Sequence, residues 1–291
     1  MPKKITKRLF CFGLGYSVQH LAATLPSDEW HIAGTVRSAE ARDRLSDNAW
    51  NVYLFDGTAP LENAAELLKG TTHLIASAPP STNGDPVLQH HSSEIAGLKC
   101  LAWMGYLSTT GVYGNRYGDW VDETSSRTPS SPRGQKRVDA EDGWLKLWRD
   151  MKVPVHLFRL AGIYGPGRSA LDAVQQGRAR RVIKKDQVFS RIHLDDIATV
   201  LQASMYDPKP GRAYNLCDDE PAPPQDVITE ACRLLDVDPP PEIPFEEADL
   251  SEMARGFYSD NKRVSNERIK NELGVALAWP NYREGLKGLI S

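Results

Sequence analysis

The sequence predicts an α/β protein built on a doubly wound parallel sheet, with a small C-terminal lobe. Two observations lead to this prediction. Short apolar segments alternate with amphipathic helical segments along the N-terminal half, and the first apolar segment runs into a tight turn, Gly13-Leu14-Gly15. Strands that alternate with helices through short loops form parallel sheets. A chain of 291 residues is long enough for one large domain with an appended lobe.

The N-terminal half supplies the first five predicted strands. Residues 8–12 form a short, mainly apolar run that predicts a strand. A helix is predicted next, because apolar residues recur at the i, i+3, i+4, i+7 spacing, at Val18, Leu21, Ala22 and Leu25. The same alternation predicts further strands over 31–36, 52–55, 73–78 and 103–108, and helices over 39–45, 61–68 and 86–100.

The C-terminal half is less regular. A helix begins within residues 132–137, with an apolar face of Val138, Trp144, Leu145 and Trp148. Further predicted elements are a strand over 155–160, a helix over 194–205, a strand over 213–216, a helix over 225–235 and a stiff proline-rich linker over 239–244. We therefore assign residues 6–164 plus 188–220 to the sheet domain, and 165–187 plus 221–291 to the small substrate-binding lobe.

Charge and cysteine content exclude several classes of protein. Lys and Arg number 35 and Asp and Glu 38, a net charge of −3, which gives no electrostatic reason to expect a nucleic acid or membrane partner. No apolar run approaches the roughly 18 residues that span a bilayer. The four cysteines are far apart and form no C-x-x-C pair, so we predict no metal site and a reducing, cytoplasmic location.

The first predicted strand-to-helix turn is a candidate cofactor loop. Gly13 and Gly15 would let the backbone turn tightly and approach a pyrophosphate, which the free N–H groups and dipole of the following helix would attract. The third glycine of the usual fingerprint falls on Val18, so the motif is incomplete. A tight turn that binds no ligand is the alternative.

Two residues after later strands bear on the choice of cofactor. Arg37 follows the second strand, 22 positions beyond Gly15, where an acidic residue would bind the ribose 2′-hydroxyl of NAD and an arginine the 2′-phosphate of NADP. NADP(H) is therefore favoured over NAD(H), although Arg37 could also be an exposed loop residue. Asp56 ends the third strand, where an aspartate is common as a turn residue because it hydrogen-bonds its own backbone.

Four segments together resemble a known family. They are the G-x-G turn, residues 108–114 (Ser-Thr-Thr-Gly-Val-Tyr-Gly), residues 159–167 (Arg-Leu-Ala-Gly-Ile-Tyr-Gly-Pro-Gly) and residues 191–196 (Arg-Ile-His-Leu-Asp-Asp). The chain resembles the extended short-chain dehydrogenase/reductases, which include nucleotide-sugar epimerases and dehydratases. The resemblance implies a Rossmann fold, an NAD(P) cofactor and a small, sugar- or nucleotide-like substrate. It implies further cofactor contacts at Tyr16, Ser17, Ala78, Pro79, Gly162 and Tyr164, and it places Asp56 near the adenine.

The resemblance also implies which catalytic residues are missing. In the family a Tyr-x-x-x-Lys pair drives acid–base coupled hydride transfer, and a Ser or Thr on the fifth strand orients the substrate oxygen. That Ser or Thr position is Thr109, whereas the tyrosine position falls on Arg133 and the lysine position on Arg137. An arginine has a pKa above ~12 and cannot cycle protons near neutral pH, but it can bind phosphate, carboxylate or an oxyanion. Arg137 could still hold the cofactor, and both arginines could instead be solvated.

Other residues could replace the tyrosine. Tyr113 and Tyr164 belong to motifs that approach the nicotinamide in relatives, although packing with a satisfied hydroxyl explains either one. Among the tyrosines, Tyr258 alone has a lysine four positions on, Lys262, but that pair does not follow the Thr109 strand and we interpret it as coincidence.

Two functional hypotheses follow, with a third ranked below them. The first is an NADP-dependent oxidoreductase or epimerase-like enzyme without the usual Tyr-x-x-x-Lys pair. The second is a catalytically inactive NADP(H)-binding sensor or regulatory module, and the third is a scaffold that binds no dinucleotide. Relatives often dimerise through the helix that carries Arg137, so a homodimer with contacts at Trp144 and Trp148 is one interpretation, and core packing of both tryptophans is the other.

Overall fold

The computed structural model describes residues 7–290, and in this range the side chains of Ser46 and Met253 are not described. Residue 6, where the predicted sheet domain begins, lies outside the described residues. The strands are β1 (Lys7–Phe12), β2 (Trp30–Val36), β3 (Asn51–Leu54), β4 (His73–Ala76), β5 (Trp103–Thr109), β6 (Trp120–Val121), β7 (Val155–Leu160), β8 (Gly162–Tyr164), β9 (Arg181–Ile183), β10 (Arg191–His193), β11 (Ala213–Leu216), β12 (Glu242–Pro244) and β13 (Arg263–Val264).

The helices follow the predicted alternation through the N-terminal half. They are α1 (Tyr16–Thr24), α2 (Ala39–Leu45), α3 (Ala64–Leu68), α4 (Pro86–Ala96), α5 (Pro132–Met151), α6 (Ala170–Gln175), α7 (Leu194–Tyr206), α8 (Pro224–Leu234), α9 (Glu252–Ser259), α10 (Glu267–Leu273) and α11 (Tyr282–Gly288). Short 3₁₀ turns cover Ser46–Asn48 and Thr110–Tyr113.

The main sheet has seven strands in the order β11-β7-β5-β4-β1-β2-β3. The pairs β1–β2, β1–β4, β2–β3 and β4–β5 are parallel. The chain runs outward from β1 through β2 to β3, then crosses to β4 on the other side of β1. The predicted doubly wound sheet is confirmed, and its topological switch point lies at the carboxyl ends of β1 and β4, where open α/β sheets bind ligands.

The chain divides into two compact units. The first comprises the described residues up to Ser108, Lys136–Arg159 and Ala198–Tyr214, and the second comprises Thr109–Gln135, Leu160–Ile197 and the described residues from Asn215 onward. The predicted assignment of residues 6–164 plus 188–220 to cofactor binding, and of the rest to substrate binding, concerns function and stays a prediction.

Apolar residues from strands and helices form the core of the first unit. Phe10 and Phe12 of β1 are completely buried, as expected for a central parallel strand covered by helices on both faces. Trp144 of α5 is also completely buried, and its indole Nε1 donates to Asp85 Oδ2 at 3.3 Å. Core packing therefore accounts for Trp144. Trp148 is partly buried against the same core.

The second unit contains a separate core and short parallel strand pairs. Its core includes Tyr164, Leu171, Val227 and Tyr282, and its strand pairs are β8–β10, β9–β12 and β6–β13. The prediction of a stiff linker over residues 239–244 was partly wrong, because Glu242–Pro244 forms β12 and pairs with Arg181–Ile183. Proline restricts φ to about −65°, which suits the edge of a sheet as well as a linker.

Candidate cofactor and active site

Gly13 occupies the turn between β1 and α1 for a steric reason. Its φ of +100° is rarely adopted by other residues, and a Cβ atom there would lie 2.5 Å from Ser77 Oγ. The Gly13 N–H donates to Thr35 Oγ1 at 3.0 Å, and Ser77 Oγ donates to the Gly13 carbonyl at 2.7 Å. A side chain of β2 and one directly after β4 therefore fix the turn at the switch point of the sheet.

Gly15 plays a different part in the same turn. It is the N-cap of α1, it is exposed, and a Cβ atom at this position would meet no atom within 4 Å. Gly15 has no side chain to cap α1, so the turn offers the first-turn N–H groups and the positive end of the helix dipole to an anion. Tyr16 is half-buried and Ser17 is buried at the start of this helix. The turn thus fits the pyrophosphate of a dinucleotide.

The segment after β4 lies beside this turn. The backbone N–H groups of Ser77 and Ala78 both donate to the Phe12 carbonyl, at 2.9 and 3.2 Å. Pro79 follows and is exposed. The structure therefore brings together the predicted cofactor residues Gly13 and Ala78, and what Ala78 and Pro79 bind stays a prediction.

Arg37 and Asp56 follow neighbouring strands. Arg37 is exposed directly after β2. Asp56 Oδ1 accepts hydrogen bonds from the Thr58 N–H at 2.8 Å and the Thr58 hydroxyl at 2.7 Å. The Thr58 hydroxyl and N–H lower the pKa of the Asp56 carboxyl, because they stabilise its charged form. A turn role for Asp56 is thus visible, while an adenine contact stays a prediction.

A buried ionic network lies under the end of β5. Ser108 Oγ donates to Glu141 Oε1 at 2.6 Å, and Arg159 Nη2 donates to Glu141 Oε2 at 2.8 Å. All three residues are buried, with Glu141 completely so. Sequence reasoning missed Glu141, although its position four residues after Arg137 on α5 could have indicated a shared helical face. The network joins β5, α5 and β7, and its β5 member, Ser108, is the residue before Thr109.

The two arginines at the missing catalytic pair differ in surroundings. Arg133 is exposed. Arg137 is half-buried, and its Nη1 donates to the Tyr106 hydroxyl at 3.0 Å and to the Leu107 carbonyl at 2.9 Å. Burial raises the pKa of Tyr106 well above its usual range, so this tyrosine is no better an acid than an ordinary one. Arg137 is thereby oriented by the strand that ends at Thr109.

Thr109 caps the 3₁₀ turn Thr110–Tyr113 in the second unit, and Tyr113 ends it. Thr109 Oγ1 accepts from the Gly111 N–H at 3.1 Å, which leaves the hydroxyl proton as the donor that it can offer. Tyr113 is completely buried, and its hydroxyl donates to Asn215 Oδ1 at 2.6 Å. Asn215 is held in turn, because its Nδ2 donates to the Ser265 carbonyl at 3.1 Å. Packing and this hydrogen bond are sufficient to explain why a tyrosine occupies position 113. A catalytic role for Tyr113 stays a prediction.

Tyr164 is the other candidate acid. It is buried with its ring centroid 5.0 Å from that of His193, and its hydroxyl has no hydrogen-bond partner among the described residues. Burial and the nearby carboxyls of Asp218 and Asp196 raise the pKa of Tyr164. Gly162, at the start of the same strand, is exposed. Their proposed cofactor contacts stay predictions.

Metal binding and membrane insertion find no support within residues 7–290. In this range no three His, Cys, Asp or Glu side chains are grouped so that they could hold a metal ion. The helices in the same range are all too short or too polar to cross a bilayer.

Comparison with known proteins finds relatives that cover nearly the whole chain. No protein-family model matches the sequence. A conserved protein of unknown function from Silicibacter pomeroyi has a solved structure that is 48% identical, covers 98% of both chains and superposes with a TM-score of 0.88. The chain belongs to the same family as this protein. Protein YeeZ of Escherichia coli is 25% identical, over 94% of this chain and 97% of its own length.

A more distant solved structure connects the fold with nucleotide-sugar enzymes. The UDP-glucuronic acid 4-epimerase of Bacillus cereus, solved with UDP-glucuronic acid and NAD, has a TM-score of 0.78 at 17% identity and covers 97% of both chains. The predicted resemblance to extended short-chain dehydrogenase/reductases of the epimerase/dehydratase type is thus confirmed for the fold.

Proposed function

We propose that this protein is an NADP(H)-dependent oxidoreductase or epimerase-like enzyme that lacks the usual Tyr-x-x-x-Lys pair. The observation that carries the proposal is the β1–α1 turn, in which Gly13 is fixed by Thr35 and Ser77 while Gly15 faces open space. That turn stands at the topological switch point of a doubly wound sheet, the usual dinucleotide position. The fold is shared with an epimerase that was solved with NAD.

The preference for NADP(H) depends on Arg37. An exposed guanidinium directly after β2 suits a 2′-phosphate, to which it can donate two parallel hydrogen bonds. Gly13, Gly15, Tyr16 and Ser17 would hold the pyrophosphate, and Arg137 would contact the nicotinamide-side ribose or phosphate through Nε or Nη2, since its two hydrogen bonds to Tyr106 and Leu107 use Nη1.

The proposed chemistry uses the residues that remain. When bound, the nicotinamide would supply or accept a hydride. Thr109 would donate its hydroxyl proton in a hydrogen bond to the substrate oxygen and orient it, because its Oγ1 already accepts from Gly111. Arg133 and Arg137 would stabilise negative charge that develops on that oxygen or on a substrate phosphate. Neither arginine would transfer a proton, so the proton that accompanies the hydride would be exchanged between the substrate oxygen and solvent water.

The proposed substrate is a small molecule that resembles a sugar or a nucleotide. Support comes from the fold shared with an epimerase that was solved with UDP-glucuronic acid. We place the protein in the cytoplasm, which agrees with the four cysteines, since none of them forms a disulfide bond. A homodimer remains part of this proposal, without a contact at the buried Trp144.

A second candidate function is an inactive NADP(H)-binding sensor. It is favoured by the arginines at both catalytic positions and by the Tyr113 hydroxyl, which is bound to Asn215. Cofactor binding is common to both candidates, whereas turnover belongs to the enzyme alone.

Calorimetric titration with NADPH and NADH tests the shared part of the proposal. We expect NADPH to bind more tightly, and binding of neither cofactor would refute both candidates. The absorbance of the reduced nicotinamide, followed with a set of UDP- and dTDP-sugars, then separates them, with product analysis for reactions that regenerate the cofactor. Turnover of one sugar identifies the enzyme, and cofactor binding without any turnover favours the sensor.

A further inference from the structure

Lys262 has a buried amine that contacts the end of the Thr109 turn, the name used here for Thr109, the 3₁₀ turn Thr110–Tyr113 and Gly114. Its side chain is only 10% exposed, and Nζ donates to the Gly114 carbonyl at 3.0 Å and to Asp260 Oδ2 at 3.1 Å. Gly114 directly follows the 3₁₀ turn Thr110–Tyr113. Helix α9 ends at Ser259, so Lys262 does not share a helical face with Tyr258, and its spacing from that tyrosine has no bearing on its role.

Lys262 is joined to Thr109 by consecutive hydrogen bonds. Nζ donates to the Gly114 carbonyl, the Gly114 N–H donates to the Gly111 carbonyl at 3.3 Å, and the Gly111 N–H donates to Thr109 Oγ1 at 3.1 Å. Gly114 and Gly111 each accept through the carbonyl on one side of Cα and donate through the N–H on the other side, so the position of Nζ is transmitted to Thr109 through the backbone of the turn. The state of the amine can therefore influence how the Thr109 hydroxyl is held.

Gly114 has little freedom to move. Gly114 has a φ of +68°, and a Cβ atom there would overlap the Thr128 carbonyl, which shows how closely the backbone is packed. On the other side, Asp260 Oδ1 accepts from Ser130 Oγ, and the Asp260 carbonyl accepts from Gln187 Nε2 at 2.7 Å. The partner of Lys262 is thus itself fixed to two other loops of the same unit.

The charge of Lys262 is opposed by its surroundings. Burial lowers the pKa of the amine, and the nearby Arg116 guanidinium lowers it further, while Asp260 acts in the opposite direction. Burial is the largest of these influences, so Lys262 loses its proton at a lower pH than an ordinary lysine.

We propose that Lys262 is a positioning residue that holds Thr109 in its working orientation through Gly114 and Gly111. The inference rests on the proposed function, in which Thr109 orients a substrate oxygen. Lys262 does not touch the substrate in this proposal.

Nuclear magnetic resonance tests the coupling without any substrate. The glycine amides and the lysine Cε atoms are labelled, and their signals are followed in the native protein while the pH is raised through the Lys262 titration. We expect the Gly111 and Gly114 amide shifts to change with the same midpoint as Lys262 Cε. In Lys262→Arg both shifts should stay near their low-pH values and lose that titration, and in Lys262→Met both should move. The proposal would be overturned if the Gly111 amide shift changed neither during the Lys262 titration nor in the two variants.

Lys270→Met is the matched control. Lys270 also belongs to the second unit and pairs with an aspartate, Asp219, at 2.7 Å, but it is not joined to the Thr109 turn by these hydrogen bonds. Its substitution should leave the Gly111 and Gly114 amides unchanged, and a change equal to that of Lys262→Met would overturn the assignment. Titration of the same samples with NADPH distinguishes the two proposals. If the native protein does not bind NADPH, the proposed function is refuted, while the coupling between Lys262 and the glycine amides can still be measured.

Kinetics supply the second readout once a sugar nucleotide is turned over. Lys262→Met should lower kcat by about tenfold or more and leave KM within about twofold, because the substrate contacts remain while Thr109 is misoriented. Lys262→Arg should restore most of the rate. An unchanged kcat in a folded Lys262→Met protein would overturn the proposal.

Discussion

Ser108 donates a hydrogen bond of 2.6 Å to Glu141, and this buried contact fixes helix α5 to the end of strand β5. Arg159 completes the network from β7, with Nη2 2.8 Å from Glu141 Oε2. The end of β5 and helix α5 are therefore joined by buried groups within the first unit.

Removal of the Glu141 carboxylate should strongly destabilise the protein. Glu141→Ala leaves Arg159 buried without its anion, an arrangement that typically costs about 3–5 kcal/mol. Urea unfolding followed by circular dichroism measures the loss. The double variant Glu141→Leu/Arg159→Leu should recover much of it, since two apolar side chains replace the ion pair. A Glu141→Ala protein as stable as the native one would contradict the structural role.

An exposed ion pair on the same helix provides the control for that experiment. Lys146 Nζ and Asp150 Oδ2 are in contact on the solvent side of α5. Lys146→Ala should leave the unfolding midpoint nearly unchanged, because water screens such a pair.

Arg37→Ala should weaken NADPH binding and leave NADH binding nearly unchanged. The guanidinium is proposed to bind the 2′-phosphate, and hydrogen bonds to charged groups contribute about 1.5–3 kcal/mol, which corresponds to roughly 10- to 150-fold in affinity. Calorimetric titration with both cofactors measures the difference. Arg42→Ala, in the neighbouring helix α2, is the matched exposed control. Equal weakening of NADPH and NADH would refute the assigned role of Arg37.

The buried Asp218 carboxyl should make stability decrease as the pH rises. Burial raises its pKa from 3.8 to about 8, with the Asp219 carboxylate adding to the rise and Arg191 opposing it. The folded state therefore retains the proton that the unfolded chain gives up. This contribution to stability is complete below pH 3.8, falls progressively above it, and levels off above pH 8.

Substitution of Asp218 isolates this effect. The free energy of unfolding in urea, measured from about pH 5 to about pH 9, should fall with pH in the native protein and fall less in Asp218→Asn, which has no proton to lose. Identical slopes for the two proteins would show that Asp218 ionises as an ordinary carboxyl.

Tyr113→Phe separates a structural role from a catalytic one. The substitution leaves the buried Asn215 Oδ1 without its 2.6 Å hydrogen bond, which should cost about 1–3 kcal/mol of stability. We expect NADPH binding, and any turnover, to persist in the folded variant. Loss of turnover with unchanged stability would instead identify Tyr113 as the proton donor. Tyr206→Phe, at an exposed tyrosine, controls for the loss of a hydroxyl.

Local patterns were sufficient to predict the sheet and the tight turn at Gly13. The strands around Phe10 and Phe12 are short apolar runs, and the turn at Gly13 requires a residue without a Cβ atom, so both leave a direct trace in the sequence. The strand over Glu242–Pro244 left no such trace, because proline is as typical of linkers as of sheet edges.

Long-range partners explain what sequence patterns could not reveal about the site. Glu141 is one of several acidic residues on α5, and its importance depends on Ser108, 33 positions earlier in the chain. The role proposed for Lys262 depends on its hydrogen bond to Gly114, which is 148 positions away in the chain. Spacing within one helix or strand carries no information about such contacts.

Calorimetric titration of Gly15→Ala with NADPH tests the central claim most directly. The added Cβ would enter the open space beside the turn, where the pyrophosphate is proposed to lie, so folding should be unaffected. We predict that the native protein and the control Gly256→Ala, whose added Cβ also meets no atom within 4 Å, bind NADPH equally well. Gly15→Ala should bind it at least about tenfold more weakly, with an unchanged melting temperature. Binding to Gly15→Ala as tight as to the native protein, or no binding to the native protein, would contradict the account.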